Sequence, residues 1–133
     1  MPAMEKALDI EVLIPILKAD PRILAAYLLG SANEGRMRPD SDVDIALMPE
    51  PGSGFSDLER LDLGARLGLA LGRDVDLGVV GPENLVYSRQ AILCGSRMVA
   101  HDRGRAELRE ATLLGLYARY WDERKEVADR LRT

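Results

Sequence analysis

The sequence contains little cysteine, histidine or aromatic residue, and it lacks any long apolar run. Because Cys94 is the only cysteine, the chain cannot form an internal disulfide. No stretch approaches the roughly 18 uninterrupted apolar residues of a membrane span, and the N-terminus has no basic region followed by an apolar segment. These absences predict a cytoplasmic protein with no membrane partner.

Positive charge is also in deficit, with 18 Lys and Arg against 22 Asp and Glu and a net charge of -4. Such a field repels polyanions, so we expect no direct nucleic-acid partner and no polymerase activity. The remaining composition, 47% hydrophobic and 30% charged over 133 residues, is typical of a folded protein. We therefore expect a single domain over residues 1–133, with its core at about 10–102.

Hydrophobic periodicity predicts helices interspersed with strands. A helix is expected over residues 10–17, although Pro15 would remove a backbone hydrogen bond if it lay deep inside. Strands are expected at residues 23–29, 42–48, 74–80 and 97–100. Helices are expected at about 56–72, 84–93 and 105–131. This order favours an α/β or α+β fold built around one sheet.

Two of these elements carry further signals. Residues 23–29 are apolar at every position, which indicates a central strand covered on both faces. Ser56 and Glu59 match a capping box at the start of the following helix, and Gly72 fits its left-handed end. The apolar positions that recur at helical spacing in that helix are Leu58, Leu61, Ala65 and Leu69.

Three acidic residues form the candidate metal site. Asp42 and Asp44 share one face of a strand, with Cβ atoms roughly 7 Å apart, and such a pair is usually either solvated or bound to a cation. Asp76, on another strand, completes the site if the two strands are neighbours. Asp74 shares its face, so parity alone leaves the choice between them open. Two Mg²⁺ ions about 3.5–4 Å apart would fit between three such groups, with waters and phosphate oxygens as further ligands.

A candidate phosphate site precedes the acids. Gly30 and Ser31 stand where the first strand ends and where a short helix through residues 32–34 could start. Gly30 would let a phosphate approach the backbone, while the Ser31 hydroxyl and the free amides of a helix start would donate hydrogen bonds to it. Without the acids, a Gly-Ser pair after a strand would indicate only a capped turn.

Gly30-Ser31 followed by Asp42-Val43-Asp44 and an apolar residue resembles the signature of the polymerase-β-like nucleotidyltransferase superfamily. The fuller pattern, LLGS at 28–31, Gly35 and SDVDIAL at 41–47, is similar to the minimal nucleotidyltransferases, the MNT family. The resemblance extends over about residues 10–102, and Asp76 before Leu77 matches the third acid of the family by position.

The resemblance implies a polymerase-β-like fold, a mixed sheet of about four strands flanked by helices and followed by a long C-terminal helix, with ATP as substrate and two Mg²⁺ as cofactors. Asp42 and Asp44 would bridge the ions, Asp76 would bind the catalytic ion and help to activate the acceptor hydroxyl, and Ser31 would hold the triphosphate. Relatives often carry a basic residue just before the glycine that is Gly35 here, whereas this chain has Glu34. Arg36 or Arg38 would then replace it as a nucleotide-binding residue.

Many members of this family are antitoxins encoded beside a HEPN-domain ribonuclease toxin, which they silence by transferring AMP to a tyrosine of the toxin. The resemblance therefore implies a protein adenylyltransferase that forms a hetero-oligomer with its toxin. The absence of a separate substrate domain in this sequence favours a protein acceptor. Two alternatives remain: an antitoxin that acts by binding alone, and nucleotidyl transfer to a small molecule such as an aminoglycoside.

The remaining polar and aromatic residues carry weaker signals. His101 is expected at the surface rather than as a general base, and Cys94 is expected to pack as a small hydrophobe. Tyr117, Tyr120 and Trp121 are three of only six aromatic residues. They indicate either a partner interface or packing on the domain's own sheet, and the sequence does not separate the two.

Overall fold

A computed structural model describes residues 9–30 and 42–132 of the chain. The described elements alternate helices with the strands of one four-stranded mixed sheet, in the order β3-β2-β1-β4. The strands are β1 (Ile23–Leu29), β2 (Val43–Pro49), β3 (Val75–Val79) and β4 (Ser96–Ala100), and the α-helices are α1 (Ile14–Ala19), α2 (Asp57–Leu71), α3 (Leu85–Cys94) and α4 (Arg103–Arg132). The predicted fold class is confirmed.

The sheet places β1 and β2 in its interior. β1 pairs with β2 and with β4 in antiparallel fashion, whereas β2 and β3 run parallel. Six of the seven residues of β1 are buried, as its apolar sequence on both faces predicts for a central strand. β3 forms one edge of the sheet and β4 the other.

The first predicted helix is divided in two. A 3₁₀ turn at Ile10–Leu13 leads into α1, and Pro15 lies at the start of α1. A proline is tolerated in the first turn because its missing N–H would have no partner there. The same requirement prevents one continuous α-helix from running through Pro15.

One face of the sheet is covered by α1 and α2. Its core is formed by Leu13, Leu17, Leu63 and Leu67 from the helices together with Val43, Ile45, Leu47 and Leu77 from the strands. The capping box predicted at Ser56 is present, because Ser56 Oγ accepts from the Glu59 amide at 3.1 Å and Glu59 Oε1 accepts from the Ser56 amide at 2.9 Å. Gly72 ends α2 with φ of 75°, as predicted.

The stripe of apolar residues predicted on α2 is not its buried face. Leu58, Leu61 and Leu69 are 76%, 71% and 87% exposed, and Ala65 is exposed as well, whereas Leu63, Gly64 and Leu67 are buried. The helix carries leucines on several of its sides, so helical periodicity is compatible with two different buried faces. The close packing at Gly64 determines which face is buried. A Cβ at this position would lie 3.3 Å from the Val75 carbonyl oxygen, so the glycine allows α2 to approach β3 closely with this side of the helix.

The opposite face of the sheet is covered by α3 and α4. Ala91, Ala106 and Leu113 of the helices pack with Leu24, Tyr27, Ala46 and Met48 of the strands. The Tyr27 hydroxyl donates to Glu110 Oε2 at 2.7 Å, and Arg97 Nη1 donates to Glu110 Oε1 at 3.1 Å. Burial of the ring, followed by the nearby Glu110 carboxylate, raises the pKa of Tyr27. These contacts hold the first half of α4 on the sheet.

The second half of α4 extends beyond the sheet. The helix is 30 residues long, or about 45 Å, but its only buried residues are Ala106 and Leu113. Tyr117 stacks with Trp121 at 6.5 Å between ring centroids, and Arg89 of α3 lies over Tyr117 at 5.1 Å. Tyr117 thus reaches α3, whereas Trp121 remains 54% exposed and does not pack on the sheet.

Two further observations concern single elements. Cys94 is exposed at the end of α3, so the prediction that it packs as a small hydrophobe is wrong. It occupies the last helical position before Gly95, which ends the helix. None of the helices described is both long enough and apolar enough to cross a bilayer.

Candidate active site

The predicted carboxylates meet at the beginning of the parallel pair β2–β3. Asp44 and Asp76 are register partners across these strands. Asp42 immediately precedes β2, two residues before Asp44. Alternation places Asp44 and Asp76 on the face that also carries Ala46, and directly opposite residues on adjacent strands lie about 5 Å apart. Asp76, rather than Asp74, is therefore the partner of Asp44.

Electrostatic repulsion between these groups is visible at Asp44. Burial raises the pKa of Asp44, and the charges of Asp76 and then Asp42 raise it further. Within residues 9–30 and 42–132, no Lys or Arg forms an ion pair with any of the three carboxylates. The site therefore concentrates negative charge that a bound cation would stabilise.

Gly30 lies against the same cluster. It follows β1, whose last residue, Leu29, is the register partner of Asp44. Its φ is 66°, a left-handed conformation that favours glycine, and a Cβ at this position would lie 3.3 Å from Asp44 Oδ2. The left-handed turn thus favours glycine, and a larger residue would also crowd the carboxylate. The end of β1, where a phosphate site was predicted, adjoins the candidate metal ligands.

Tyr87 of α3 is a neighbour of the site that the sequence analysis missed. Its ring packs on Gly78 of β3, where an added Cβ would collide with the Tyr87 hydroxyl. Burial, followed by the charges of Asp44 and Asp76, raises the pKa of Tyr87 to about 12. A glycine inside a strand often marks a close approach of another group, so Gly78 was the available signal.

The donor set suits a hard divalent cation. Carboxylate oxygens are the ligands preferred by Mg²⁺, which also keeps waters and substrate phosphate oxygens in its coordination sphere. Within the part of the chain that the structure describes, no group of three or more His, Cys, Asp or Glu side chains is placed so that it could hold a metal ion. The carboxylates of Asp42, Asp44 and Asp76 would hold such an ion only together with substrate phosphate oxygens and waters.

The other predicted site residues are placed as follows. Ser31, Arg36 and Arg38 lie outside the described residues, so their contribution to nucleotide binding stays a prediction. His101 is exposed, as predicted, and its ring contacts two backbone oxygens, Nε2 with Lys18 O at 2.7 Å and Nδ1 with Ile23 O. Those contacts tie the end of α1 and the start of β1 to the residue that follows β4, and they leave His101 out of the site.

Residues 11–104 match the family model described as polymerase beta, nucleotidyltransferase. The chain belongs to this nucleotidyltransferase family. The matched segment contains Gly30 and all three carboxylates, and it ends where α4 begins.

Individual relatives agree with the family. The chain is 27% identical over 109 residues to the protein adenylyltransferase MntA of Shewanella oneidensis. The alignment covers 82% of this chain and 76% of that protein. A solved toxin-antitoxin structure with AMP-PNP superposes with a TM-score of 0.77 and 25% identity, covering 95% of this chain and 100% of the other. A tri-AMPylated Shewanella oneidensis HEPN toxin in complex with MNT antitoxin contains a chain with a TM-score of 0.67 and 23% identity, covering 96% of each.

Proposed function

We propose that this nucleotidyltransferase is an antitoxin that transfers AMP from ATP to a tyrosine hydroxyl of a HEPN ribonuclease toxin encoded beside it, thereby neutralising the toxin. The observation that carries the proposal is the pairing of Asp44 with Asp76 next to Gly30, which brings the candidate cation ligands close to the end of β1, where a phosphate site is predicted. The similarity to a named protein adenylyltransferase and to an AMP-PNP complex supports ATP as the substrate.

The reaction uses the residues in distinct roles. The acceptor oxygen attacks the α-phosphorus of ATP, so that a new O–P bond forms while the bond from that phosphorus to the β-phosphate oxygen breaks and pyrophosphate leaves. The hydroxyl proton passes to the Asp76 carboxylate. Two Mg²⁺ ions held by Asp42, Asp44 and Asp76 would supply Lewis-acid stabilisation of the charge on the transferring group.

Gly30 contributes by its lack of a side chain. A Cβ at this left-handed position would lie 3.3 Å from Asp44 Oδ2, so the bare glycine leaves the backbone open beside the carboxylates, where a phosphate can approach. Ser31, and Arg36 or Arg38, would then donate to the triphosphate, in agreement with the resemblance. Substitution of Gly30 by alanine would introduce strain and crowd Asp44 at the same time.

Co-expression with the neighbouring gene product tests the proposal. The purified pair is incubated with ATP and Mg²⁺, and the intact mass of both proteins is measured. We expect one or more AMP groups on the partner, and no addition with the double variant Asp42→Ala, Asp44→Ala. The loss should be roughly 100-fold or more in rate, because metal-ion stabilisation contributes several kcal/mol to the transition state.

The same experiment separates the alternatives. If the double variant still neutralises the toxin fully and no AMP appears, the chain acts as an antitoxin by binding alone. If the partner remains unmodified while an aminoglycoside gains AMP, the acceptor is a small molecule. If GTP is supplied as well and the partner gains GMP but no AMP, GTP replaces ATP as the substrate.

A further inference from the structure

The hydroxyl of Tyr87 lies beside the candidate active site without a hydrogen bond inside the described part of the protein. Within residues 9–30 and 42–132, no hydrogen bond joins it to another residue. Every fully buried side-chain oxygen of half-buried and buried residues in those ranges has a hydrogen-bond partner, so the Tyr87 hydroxyl must be accessible from outside. Because a tyrosine hydroxyl in a largely buried position usually has a partner, this one is available to a substrate.

The position of this hydroxyl follows from Gly78. An added Cβ at Gly78 would collide with the Tyr87 hydroxyl, so the phenol occupies the place of the missing side chain. Alternation along β3 puts that place on the same face of the sheet as Asp76, two residues away, which corresponds to roughly 7 Å along the strand. Gly78 is also the register partner of Ala46, two residues beyond Asp44. The hydroxyl therefore lies on the face that carries both carboxylates.

The first turn of α3 is fixed at the point where it carries Tyr87. The adjacent Ser88 is fully buried, and its Oγ accepts from the Gly81 amide at 2.9 Å and donates to the Gly81 carbonyl oxygen at 3.1 Å. Asn84 Nδ2 donates to Val79 O at 3.2 Å. These bonds join the end of β3 to the start of α3, and the Tyr87 ring packs against the core on this face. The hydroxyl is thus held in place before a substrate binds, as the positioning of a reacting group requires.

Tyr87 and Gly30 lie on opposite sides of Asp44. Gly30 follows β1, whereas Gly78 belongs to β3, and β2 lies between these two strands. Two strand spacings amount to roughly 10 Å. Since the triphosphate is expected at Gly30, the part of the substrate nearest to Tyr87 is the acceptor, whose proton passes to Asp76 in the proposed reaction.

We propose that the Tyr87 hydroxyl donates a hydrogen bond to the acceptor oxygen of the substrate and orients that oxygen towards Asp76. This inference rests on the proposed function, in which a hydroxyl is the acceptor. The separation of roughly 7 Å along β3 is too long for a direct hydrogen bond between Tyr87 and Asp76. Two hydrogen bonds that meet at one intervening oxygen span about 5.5 Å, and the Asp76 carboxylate extends beyond its Cβ to cover the remainder.

The chemistry of the acceptor step is compatible with this contact. The acceptor oxygen has two lone pairs, so one can accept from Tyr87 while the other attacks the α-phosphorus of ATP, and the acceptor proton passes to Asp76. Tyr87 keeps its own proton throughout. Burial, followed by the charges of Asp44 and Asp76, raises the pKa of Tyr87 to about 12, so the phenol is a donor at neutral pH.

Two tyrosines on this face of the sheet allow a matched comparison. Tyr27 is the register partner of Ala46, as Gly78 is on the other side, and its hydroxyl donates to Glu110 Oε2 at 2.7 Å. Tyr27→Phe therefore removes a hydroxyl that is bonded inside the protein, whereas Tyr87→Phe removes one that is not. Phenylalanine retains the ring at both positions, so the hydrophobic packing is kept.

The measurement is the rate of AMP transfer to the purified partner, with partner and ATP concentrations varied separately, together with Tm with and without ATP and Mg²⁺. We expect Tyr87→Phe to lower kcat/KM for the partner about tenfold, the effect of one lost hydrogen bond. Its KM for ATP, its ATP-dependent Tm shift and its Tm without ligand should match the wild type. Tyr27→Phe should do the opposite, with a lower Tm and with kcat/KM for the partner within about twofold of the wild type.

Contrary results have distinct meanings. Wild-type kinetics in Tyr87→Phe overturn the acceptor contact and leave the proposed function standing. A higher KM for ATP, or a smaller ATP-dependent Tm shift, assigns the hydroxyl to the nucleotide and likewise overturns the inference. A Tm without ligand that falls as far as that of Tyr27→Phe makes Tyr87 a structural residue, with the same consequence. Absence of transfer by the wild-type pair overturns the proposed function, and with it the role of Tyr87.

Discussion

Asp44 and Asp76 lie directly opposite each other at the beginning of the parallel pair β2–β3, and the pKa of Asp44 is raised by burial and by the Asp76 charge. Two like charges at such close range destabilise the folded state until a cation neutralises them. The three carboxylates therefore lower the stability of the free protein, and a bound cation would restore it.

Removal of one of these charges should stabilise the free protein. We expect Asp44→Asn to raise Tm by on the order of a few degrees in the presence of a chelator, because the repulsion disappears. Mg²⁺ should raise the Tm of the wild type but not that of the variant. Asp62→Asn, at an exposed position of α2, is the control and should change neither value. A lower Tm for Asp44→Asn in chelator would contradict the prediction.

Asp20 and Arg22 provide a pH-dependent contribution to stability away from the site. Asp20 Oδ1 accepts from the Arg22 amide at 3.0 Å and from Nε at 2.9 Å, and Oδ2 accepts from Nη2 at 2.7 Å. Hydrogen bonds from the Arg22 side chain lower the pKa of Asp20 against the opposing effect of burial. Because the folded pKa lies below the unfolded value, the stabilisation is complete above about pH 4 and is lost as the pH falls through the folded pKa.

Asp20→Asn should accordingly reduce the free energy of unfolding by about 1–3 kcal/mol at pH 7, the range for a hydrogen bond to a charged group. The difference from the wild type should shrink as the pH falls below about 4. Urea unfolding at several pH values measures it. The control is Asp57→Asn, whose carboxylate is 94% exposed and pairs with Arg60 at 3.1 Å, and it should change stability by less than about 1 kcal/mol. A pH-independent difference for Asp20→Asn would refute the linkage.

The contact between Gly78 and Tyr87 predicts that substitutions at these two residues have strongly non-additive effects on stability. Gly78→Ala should destabilise the protein by about 1–3 kcal/mol, because the new methyl group collides with the Tyr87 hydroxyl. In the background Tyr87→Ala the same substitution should cost much less. Gly115→Ala is the control, since nothing lies within 4 Å of an added Cβ in α4, and it should stabilise by about 0.5–1 kcal/mol. Equal costs of Gly78→Ala in both backgrounds would exclude the coupling.

Much of the fold follows from local sequence signals. The apolar run at residues 23–29 predicted a central strand, and β1 is buried between two neighbours. The capping box at Ser56 and the glycine end at Gly72 predicted both ends of α2. Such signals act within a few residues, so they can be recognised without knowledge of the tertiary structure.

Features that depend on contacts between residues distant in the sequence were harder to predict from the sequence. Strand parity placed Asp42 and Asp44 on one face, but the pairing of β3 with β2 cannot be obtained from periodicity, and so the choice between Asp74 and Asp76 rested on family position. The apolar stripe identified on α2 is exposed for the same reason, since the close approach of the helix to β3 at Gly64 determines which face is buried. Tyr87 joins the site only through the packing of α3 on Gly78.

The exposed end of α4 yields a prediction about the partner interface. Trp121 and Val127 are 54% and 52% exposed, and an apolar depression on this half of the helix is lined by residues that include Val127 and Leu131. We expect this surface to contact the proposed toxin partner, because exposed aromatic and aliphatic side chains are enriched at protein interfaces. Trp121→Ala should then weaken association with the toxin by about 2 kcal/mol, or roughly 30-fold in Kd.

Titration calorimetry of the purified chain with its partner measures this change, and Leu108→Ala provides the control. Leu108 is 70% exposed on the first half of the same helix, so its loss should leave Kd within about twofold of the wild type. Circular dichroism should show the same helix content in both variants, because neither side chain is buried. If Trp121→Ala binds the toxin as tightly as the wild type does, the partner contacts a different surface. The surface that α2 and β3 form beside Asp42 and Asp76 would then be the next to examine.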